Sequence, residues 1–122
     1  MRWLLGLICV LGLLSCAPGY MKKLSFDQVR KACGQNSMEG CTELGMRHYA
    51  AKRYGPASEL FRKTCDRGDL RGCCTLGGMH WSGKGVQRDL GRAEDLQRRA
   101  CDGNDARCCD NLGLMYVTEN IQ

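Results

Sequence analysis

The stretch Cys65-Asp-Arg-Gly-Asp-Leu-Arg-Gly-Cys73 places two cysteines eight residues apart, with glycines between them. The same spacing occurs between Cys33 and Cys41 and between Cys101 and Cys109. On one continuous helix, residues eight apart are separated by about 12 Å along the axis, whereas a disulfide needs Cα atoms within about 7 Å. Each frame is therefore predicted to join the end of one helix to the start of the next, with the disulfide across the corner.

Turn and capping residues occupy the expected places inside these frames. Glycines that could adopt a left-handed conformation lie just past each first helical run; they are Gly34, Gly68 and Gly103. Residues that could cap the following helix come next; they are Ser37, Asp69 and Asn104 or Asp105. Outside the frames, a capping box is predicted over 25–28, a turn at Gly55-Pro56 and a helix from Asp89 to about Asp102.

The N-terminal segment is typical of an export signal. A positive start, Met1-Arg2, precedes an apolar run over 3–14 that is too short for a permanent transmembrane helix. Leu13-Leu-Ser-Cys16 then resembles a bacterial lipobox. We therefore predict a signal peptide over 1–15, lipidation of Cys16 and a tether over 16–24. The alternative is an ordinary signal peptide followed by an unrelated cysteine.

Cysteine usage agrees with export to an oxidising compartment. Of the ten cysteines, Cys9 belongs to the predicted signal peptide and Cys16 to the lipobox, which leaves eight, an even number. Cys74 and Cys108 have no partner inside a frame, so they either bridge neighbouring repeats or are free; Cys101 could also choose Cys108. The formal net charge of +5 is too small to indicate nucleic-acid binding.

The frames belong to an internal repeat. Residues 72–81 match residues 40–49, and residues 109–116 begin a third copy, so the repeat lengths are 32 and 36. Repeats of this length with paired helices predict an all-α solenoid, with a repeat domain over 25–122 containing about two and a half repeats. Leu-Gly recurs in each first helix, and we expect Gly45, Gly77 and Gly113 to make room for small residues, Ala57 and Ala93, on the second helices.

The second repeat resembles a Sel1-like repeat. The residues that carry this resemblance are Leu76-Gly77, Gly83-Lys-Gly-Val86, Asp89, Ala93 and Ala100-Cys101. Among Sel1-like repeat proteins, the cysteine spacing of eight resembles that of the cysteine-rich group typified by the Helicobacter cysteine-rich proteins. The resemblance implies tetratricopeptide-like helix pairs stapled by disulfides. It also implies weak β-lactamase or penicillin-binding activity, with which such relatives are commonly described.

Catalytic machinery is not visible in the sequence. The Ser-x-x-Lys, Ser-Asp-Asn and Lys-Thr-Gly motifs of penicillin-recognising enzymes are missing. His48 and His80 hold equivalent repeat positions, where the pattern of the resembled family usually has tyrosine, and we predict that they pack as semi-buried helix residues. The alternative is a metal site completed by Cys74 or Cys108. We predict no catalytic residue, no metal and no cofactor, and β-lactam chemistry remains an alternative based on the resemblance.

Our functional prediction is a lipid-anchored module on a bacterial envelope membrane that binds another protein or a peptide. Stacked helix pairs present a groove lined mainly by first helices. The residues expected to be exposed there are Arg47, Tyr49, Met79 and Trp81. The expected partner is an unknown envelope protein or peptide, and no nucleic acid. A further alternative is a fragment of a longer repeat protein, because no second helix follows the third first helix.

Overall fold

A computed structural model describes residues 20–119, which form seven α-helices and no strand. The predicted signal peptide over 1–15 and the predicted lipidation site Cys16 lie outside these residues. The helices are α1 (Tyr20–Lys23), α2 (Phe26–Gly34), α3 (Met38–Ala50), α4 (Tyr54–Asp66), α5 (Leu70–Ser82), α6 (Leu90–Asp102) and α7 (Ala106–Glu119). None of the helices in this part of the chain has the length and apolar character needed to cross a bilayer.

The helices form a short solenoid, as predicted. From α2 onward each helix packs against the next one, and α5 also contacts α7. The helices α3, α5 and α7 are the first helices of successive repeats, and α2, α4 and α6 are second helices. The short α1 lies within the segment predicted to be a tether and packs against α3.

Most helix starts are capped as the sequence predicts. Ser25 and Gln28 form the capping box of α2, because each side chain accepts a hydrogen bond from the other residue's backbone N–H. At the starts of α3, α5, α6 and α7, a backbone N–H donates a hydrogen bond to the side chain of a capping residue. These residues are Ser37, Asp69, Asp89 and Asp105. These caps fix the start of five helices.

The left-handed turn residues differ from the prediction in two of three frames. Gly68 has a φ of 93°, but the corresponding residues in the other frames are Asn36 (φ 69°) and Asn104 (φ 70°). Gly103 has a φ of −80°, and Gly34 is the last residue of α2. The left-handed position is three residues after each first cysteine, and asparagine adopts it more readily than most other residues that have a side chain.

The turn predicted at Gly55-Pro56 was placed too late. Helix α4 begins at Tyr54, and the turn lies before it, where Lys52 has a φ of 60°. Pro56 is the third residue of the helix. The missing N–H does not weaken the helix there, because the first backbone N–H groups have no partner within the helix.

Four disulfides connect the helices. Cys33–Cys41, Cys65–Cys73 and Cys101–Cys109 close the three corners, with Cα atoms 4.4, 4.5 and 4.7 Å apart. Cys74–Cys108 joins α5 directly to α7 across repeats. All eight cysteines between residues 20 and 119 are thus bonded. They are also core residues, because cysteine side chains belong to two of the three buried apolar clusters.

The glycine of each Leu-Gly pair has a different neighbour. A methyl group at Gly45 would come within 2.9 Å of the Phe61 ring, and one at Gly77 would come within 2.7 Å of the Gln97 side chain. Ala57 was wrongly expected to occupy the space at Gly45, because the larger Phe61 ring fills it. Near Gly77, the expected residue Ala93 contributes its backbone carbonyl. Apart from its chain neighbours and the backbone of its own helix, no atom of the described residues would lie within 4 Å of a methyl group at Gly113.

Alanine at these equivalent positions should therefore have opposite effects. We expect Gly45→Ala to lower the free energy of unfolding by about 1–3 kcal/mol, because the buried Phe61 ring must shift. Gly113→Ala should raise it by up to about 1 kcal/mol, the difference in helix propensity. Urea unfolding of both variants tests this expectation. A stabilising effect at Gly45 would show that Phe61 does not pack as described.

Candidate binding groove

The first helices enclose two adjoining depressions, which together we call the groove. One depression of about 520 Å³ lies beside α3, α5 and α7, and the other, of about 450 Å³, reaches α1. Both are lined by Met46, Thr75 and Arg107. Volumes of this size lie in the usual range of ligand-binding clefts, about 300–1,000 Å³.

The repeat places the same positions of successive first helices in the groove. Its lining includes Glu43, Met46 and Ala50 of α3 and, 32 residues later in each case, Thr75, Gly78 and Ser82 of α5. These positions follow the spacing of one helix face. Sequence reasoning missed them, although the repeat register combined with this spacing was the signal that could have found them.

The centre of the groove is open and partly apolar. Met46 is 41% exposed although it is a large apolar residue. Gly78 adds no side chain opposite it, and a methyl group there would have only Gln97 at 4.0 Å. An exposed methionine beside empty space is suited to contact with an apolar side chain of a ligand.

Arg47 lies at the groove, as expected, but much of its hydrogen-bonding capacity is already used. Its Nε donates to Glu43 at 3.0 Å, and an Nη donates to the backbone carbonyl of Met21 at 3.0 Å. The side chain is only 22% exposed. Arg47 therefore holds α1 against α3 and positions the rim of the groove.

Tyr49 also lines the groove, and it is half-buried. Its ring meets the ring of Tyr54 edge to face, with centroids 5.1 Å apart. The ammonium group of Lys84 lies 5.8 Å from the Tyr49 ring and 5.5 Å from the Tyr54 ring. This arrangement carries a positive charge to the edge of the groove.

Met79 was wrongly expected to be exposed. It is fully buried in a cluster with Ala57, Phe61 and Leu76. Helix α5 is packed between α4 and α6. The helix face bearing Leu76 and Met79 is therefore covered, while Gly78 and Ser82 face the groove.

Trp81 is held by the last helix and lines neither depression. Its Nε1 donates to the Glu119 carboxylate at 2.9 Å, and the same carboxylate accepts from Arg88 at 2.7 Å. The Trp81 hydrogen bond, followed by the Arg88 contact, lowers the pKa of Glu119 below its ordinary value. Trp81 therefore serves to attach α7 to α5 in this structure.

Acid should release this contact. Because the folded-state pKa of Glu119 is depressed, its contribution is present above the pKa of the unfolded chain and is lost as the pH falls through the lower folded value. In a chain beginning at Cys16, Trp81 is the only tryptophan, so its fluorescence reports the change. We expect the Trp81 fluorescence of the wild type to shift as the pH falls and that of Glu119→Gln to stay constant. If the variant showed the same acid-induced shift as the wild type, the assignment to Glu119 would be wrong.

The histidines do not come together as a metal site. His48 packs edge to face on Phe26, with centroids 5.6 Å apart, and His80 bonds through Nδ1 to the carbonyl of Gln87. In the described part of the chain, Cys74, Cys108 and Asp105 are the group close enough to share a metal ion. Both sulfurs are in the disulfide, so neither offers the thiolate that a metal requires.

Comparison with known proteins identifies a relative of the same architecture. A solved structure of Helicobacter pylori cysteine-rich protein B is 31% identical in sequence, with a TM-score of 0.64. The similarity covers 71% of this chain and 68% of that chain. No protein-family model matches the chain, and no curated protein does. The likeness therefore extends through most of the repeat architecture.

Proposed function

Because this chain belongs to the Helicobacter cysteine-rich protein family of Sel1-like repeats, we propose that it binds an envelope protein or peptide in the groove between α3, α5 and α7. The observation that carries this proposal is the groove itself, which repeats the same side-chain positions along successive first helices. Such a surface suits an extended segment, because each repeat meets a successive part of the ligand.

Display outside the cytosol fits this role. Four disulfides within residues 20–119 require an oxidising compartment to form and persist. We further propose that Cys16 carries the lipid that anchors the chain to an envelope membrane. Mass spectrometry of the mature N-terminus tests this step, and an unmodified Cys16 in protein from the membrane fraction would contradict it.

A bulky residue inside the groove should block binding without disturbing the fold. Gly78→Trp fills the space opposite Met46, and its Cβ has no neighbour closer than 4.0 Å. Gly91→Trp is the matched control, because Gly91 is exposed on the second helix α6 and meets only Asp89 at 3.6 Å. Peptides selected from a random library on the wild type should lose at least about tenfold in affinity for the first variant and keep their affinity for the control.

The opposite outcome has a clear meaning. Equal binding by Gly78→Trp and the wild type would place the binding surface elsewhere. Failure to select any peptide or envelope protein would overturn the proposal. The β-lactam alternative has no geometry in its favour among the described residues, and the same purified protein assayed with nitrocefin tests it directly.

A further inference from the structure

We propose that the groove takes an acidic peptide segment, whose carboxylates are bound by Arg71 and Arg107 while a neighbouring apolar side chain contacts Met46. This inference rests on the proposed function and specifies the chemistry of the partner. It follows from three observations on the groove: its charge, the free donors of the two arginines, and the exposed apolar floor.

The groove concentrates positive charge. Its cationic lining residues are Lys22, Arg47, Arg71, Lys84 and Arg107, and its acidic ones are Glu43 and Asp110. The difference, five minus two, is a net charge of +3 on the groove, compared with +5 on the whole chain. The pairing of Glu43 with Arg47 offsets one charge of each sign and leaves this excess unchanged, so the groove attracts negative groups.

Arg71 and Arg107 are equivalent residues with unused hydrogen-bond donors. They lie 36 residues apart at the starts of α5 and α7, with side chains 53% and 63% exposed. Their nearest acids, Asp69 and Asp105, are 3.6 and 3.5 Å away. At these distances the contacts are weak, and more than half of each arginine side chain is exposed to solvent.

The two nearby aspartates are committed to the fold. Asp69 accepts the backbone N–H of Arg71 and the hydroxyl of Thr42, and it is 7% exposed. Asp105 accepts the backbone N–H of Arg107. Because these carboxylates cap helices, they are poorly placed to saturate the arginines, which remain available for a carboxylate from outside.

The shape of the groove favours a peptide over a polyanion such as nucleic acid. The arginines border a depression of about 450 Å³ with Met46 and Ala50 in its lining, not a flat basic stripe. The equivalent residue in α3 is Glu39, so the arginine pair is confined to the second and third repeats. An acid followed by an apolar residue, in an extended segment, matches this arrangement.

Calorimetric titration with three synthetic peptides tests the inference. The peptides share a framework of serine and leucine and carry glutamate, glutamine or lysine at alternate positions. We expect the glutamate peptide to bind the wild type at least about tenfold more tightly than the glutamine peptide, since a hydrogen bond between an arginine and a carboxylate is roughly twice as strong as one between neutral groups. Its affinity should fall as the salt concentration rises.

The matched variants separate the site from overall charge. Arg71→Gln with Arg107→Gln should abolish the preference for glutamate, whereas Arg30→Gln with Arg62→Gln should preserve it. The control pair removes the same charge from exposed positions on α2 and α4, where each arginine pairs locally with Asp27 or Glu59. Circular dichroism establishes that both double variants are folded.

Several outcomes would overturn the inference. Equal affinity for the glutamate and glutamine peptides would refute acid recognition, yet the module would still bind peptides if Gly78→Trp weakened both. If both double variants lost the preference for the glutamate peptide equally, the preference would come from the net charge of the protein and not from Arg71 and Arg107. Tighter binding of a single-stranded oligonucleotide, or displacement of the peptide by an equal concentration of free glutarate, would exclude a peptide as the specific occupant.

Discussion

Replacing Gly85 with alanine is expected to lower the free energy of unfolding by about 4 kcal/mol, from backbone strain and overpacking together. Gly85 has a φ of 70°, and a methyl group there would lie 2.3 Å from the backbone oxygen of Tyr54. The Gly85 carbonyl in turn accepts a hydrogen bond from Ser58. The loop after α5 therefore lies directly on the start of α4, and a side chain at Gly85 would push it away.

Gly83→Ala is the matched control for this loop. Gly83 also has a φ of 70°, but a methyl group there would first meet the Arg88 side chain, at 3.3 Å. We expect Gly83→Ala to lower the free energy of unfolding by only about 1–2 kcal/mol, which is the cost of an alanine in the left-handed conformation. Denaturant unfolding of both variants measures the difference. If Gly85→Ala were no worse than Gly83→Ala, the close packing of the loop on Tyr54 would be wrong.

Removal of the disulfide between α5 and α7 is expected to be similarly costly. Cys74 and Cys108 are separated by 34 residues, compared with eight in each corner disulfide. In the chain-entropy description, the longer loop contributes about 4 kcal/mol and a corner loop about 2.5 kcal/mol. Because small domains have total stabilities of about 5–15 kcal/mol, the double variant Cys74→Ala with Cys108→Ala should be near the limit of folding.

Cys33→Ala with Cys41→Ala provides the comparison, since it removes a corner disulfide of the first repeat. Both double variants delete two core sulfurs, so the difference between them reports mainly on loop length. In urea unfolding under oxidising conditions, the variant without Cys74–Cys108 should lose more unfolding free energy than the variant without Cys33–Cys41. Equal losses, or a greater loss for the corner, would mean that the link between repeats does not restrain the unfolded chain in this way.

The sequence was most informative about local structure. Ser25, Ser37, Asp69 and Asp105 were among the predicted caps and do cap helices, because capping depends on a side chain and the backbone within three residues of it. The corners were also predictable, since cysteines eight apart can meet only if the chain turns. In two corners the left-handed residue was predicted one or two positions too early. The exact end of a helix depends on its last backbone hydrogen bond, which the sequence does not show.

The groove was only partly predictable. Arg47 and Tyr49 line it, but Met79 is buried and Trp81 is held by Glu119. Periodicity identifies the faces of a helix, but it does not show which face is covered by a neighbouring helix. Arg71 and Arg107 were missed for the same reason, since nothing near them in the sequence shows that α5 and α7 place them beside one depression.

The sequence alone was enough to predict an oxidising compartment, the helix pairs and the corners between them. Those properties depend on cysteine spacing, capping residues and repeat length, which act over a few residues or are counted along the chain. The folded structure was needed to show that Phe61 fills the space at Gly45, that the Gly85 loop lies on Tyr54, and which side chains face the groove. Such contacts join residues far apart in sequence, and their geometry is set by how the whole stack of helices packs.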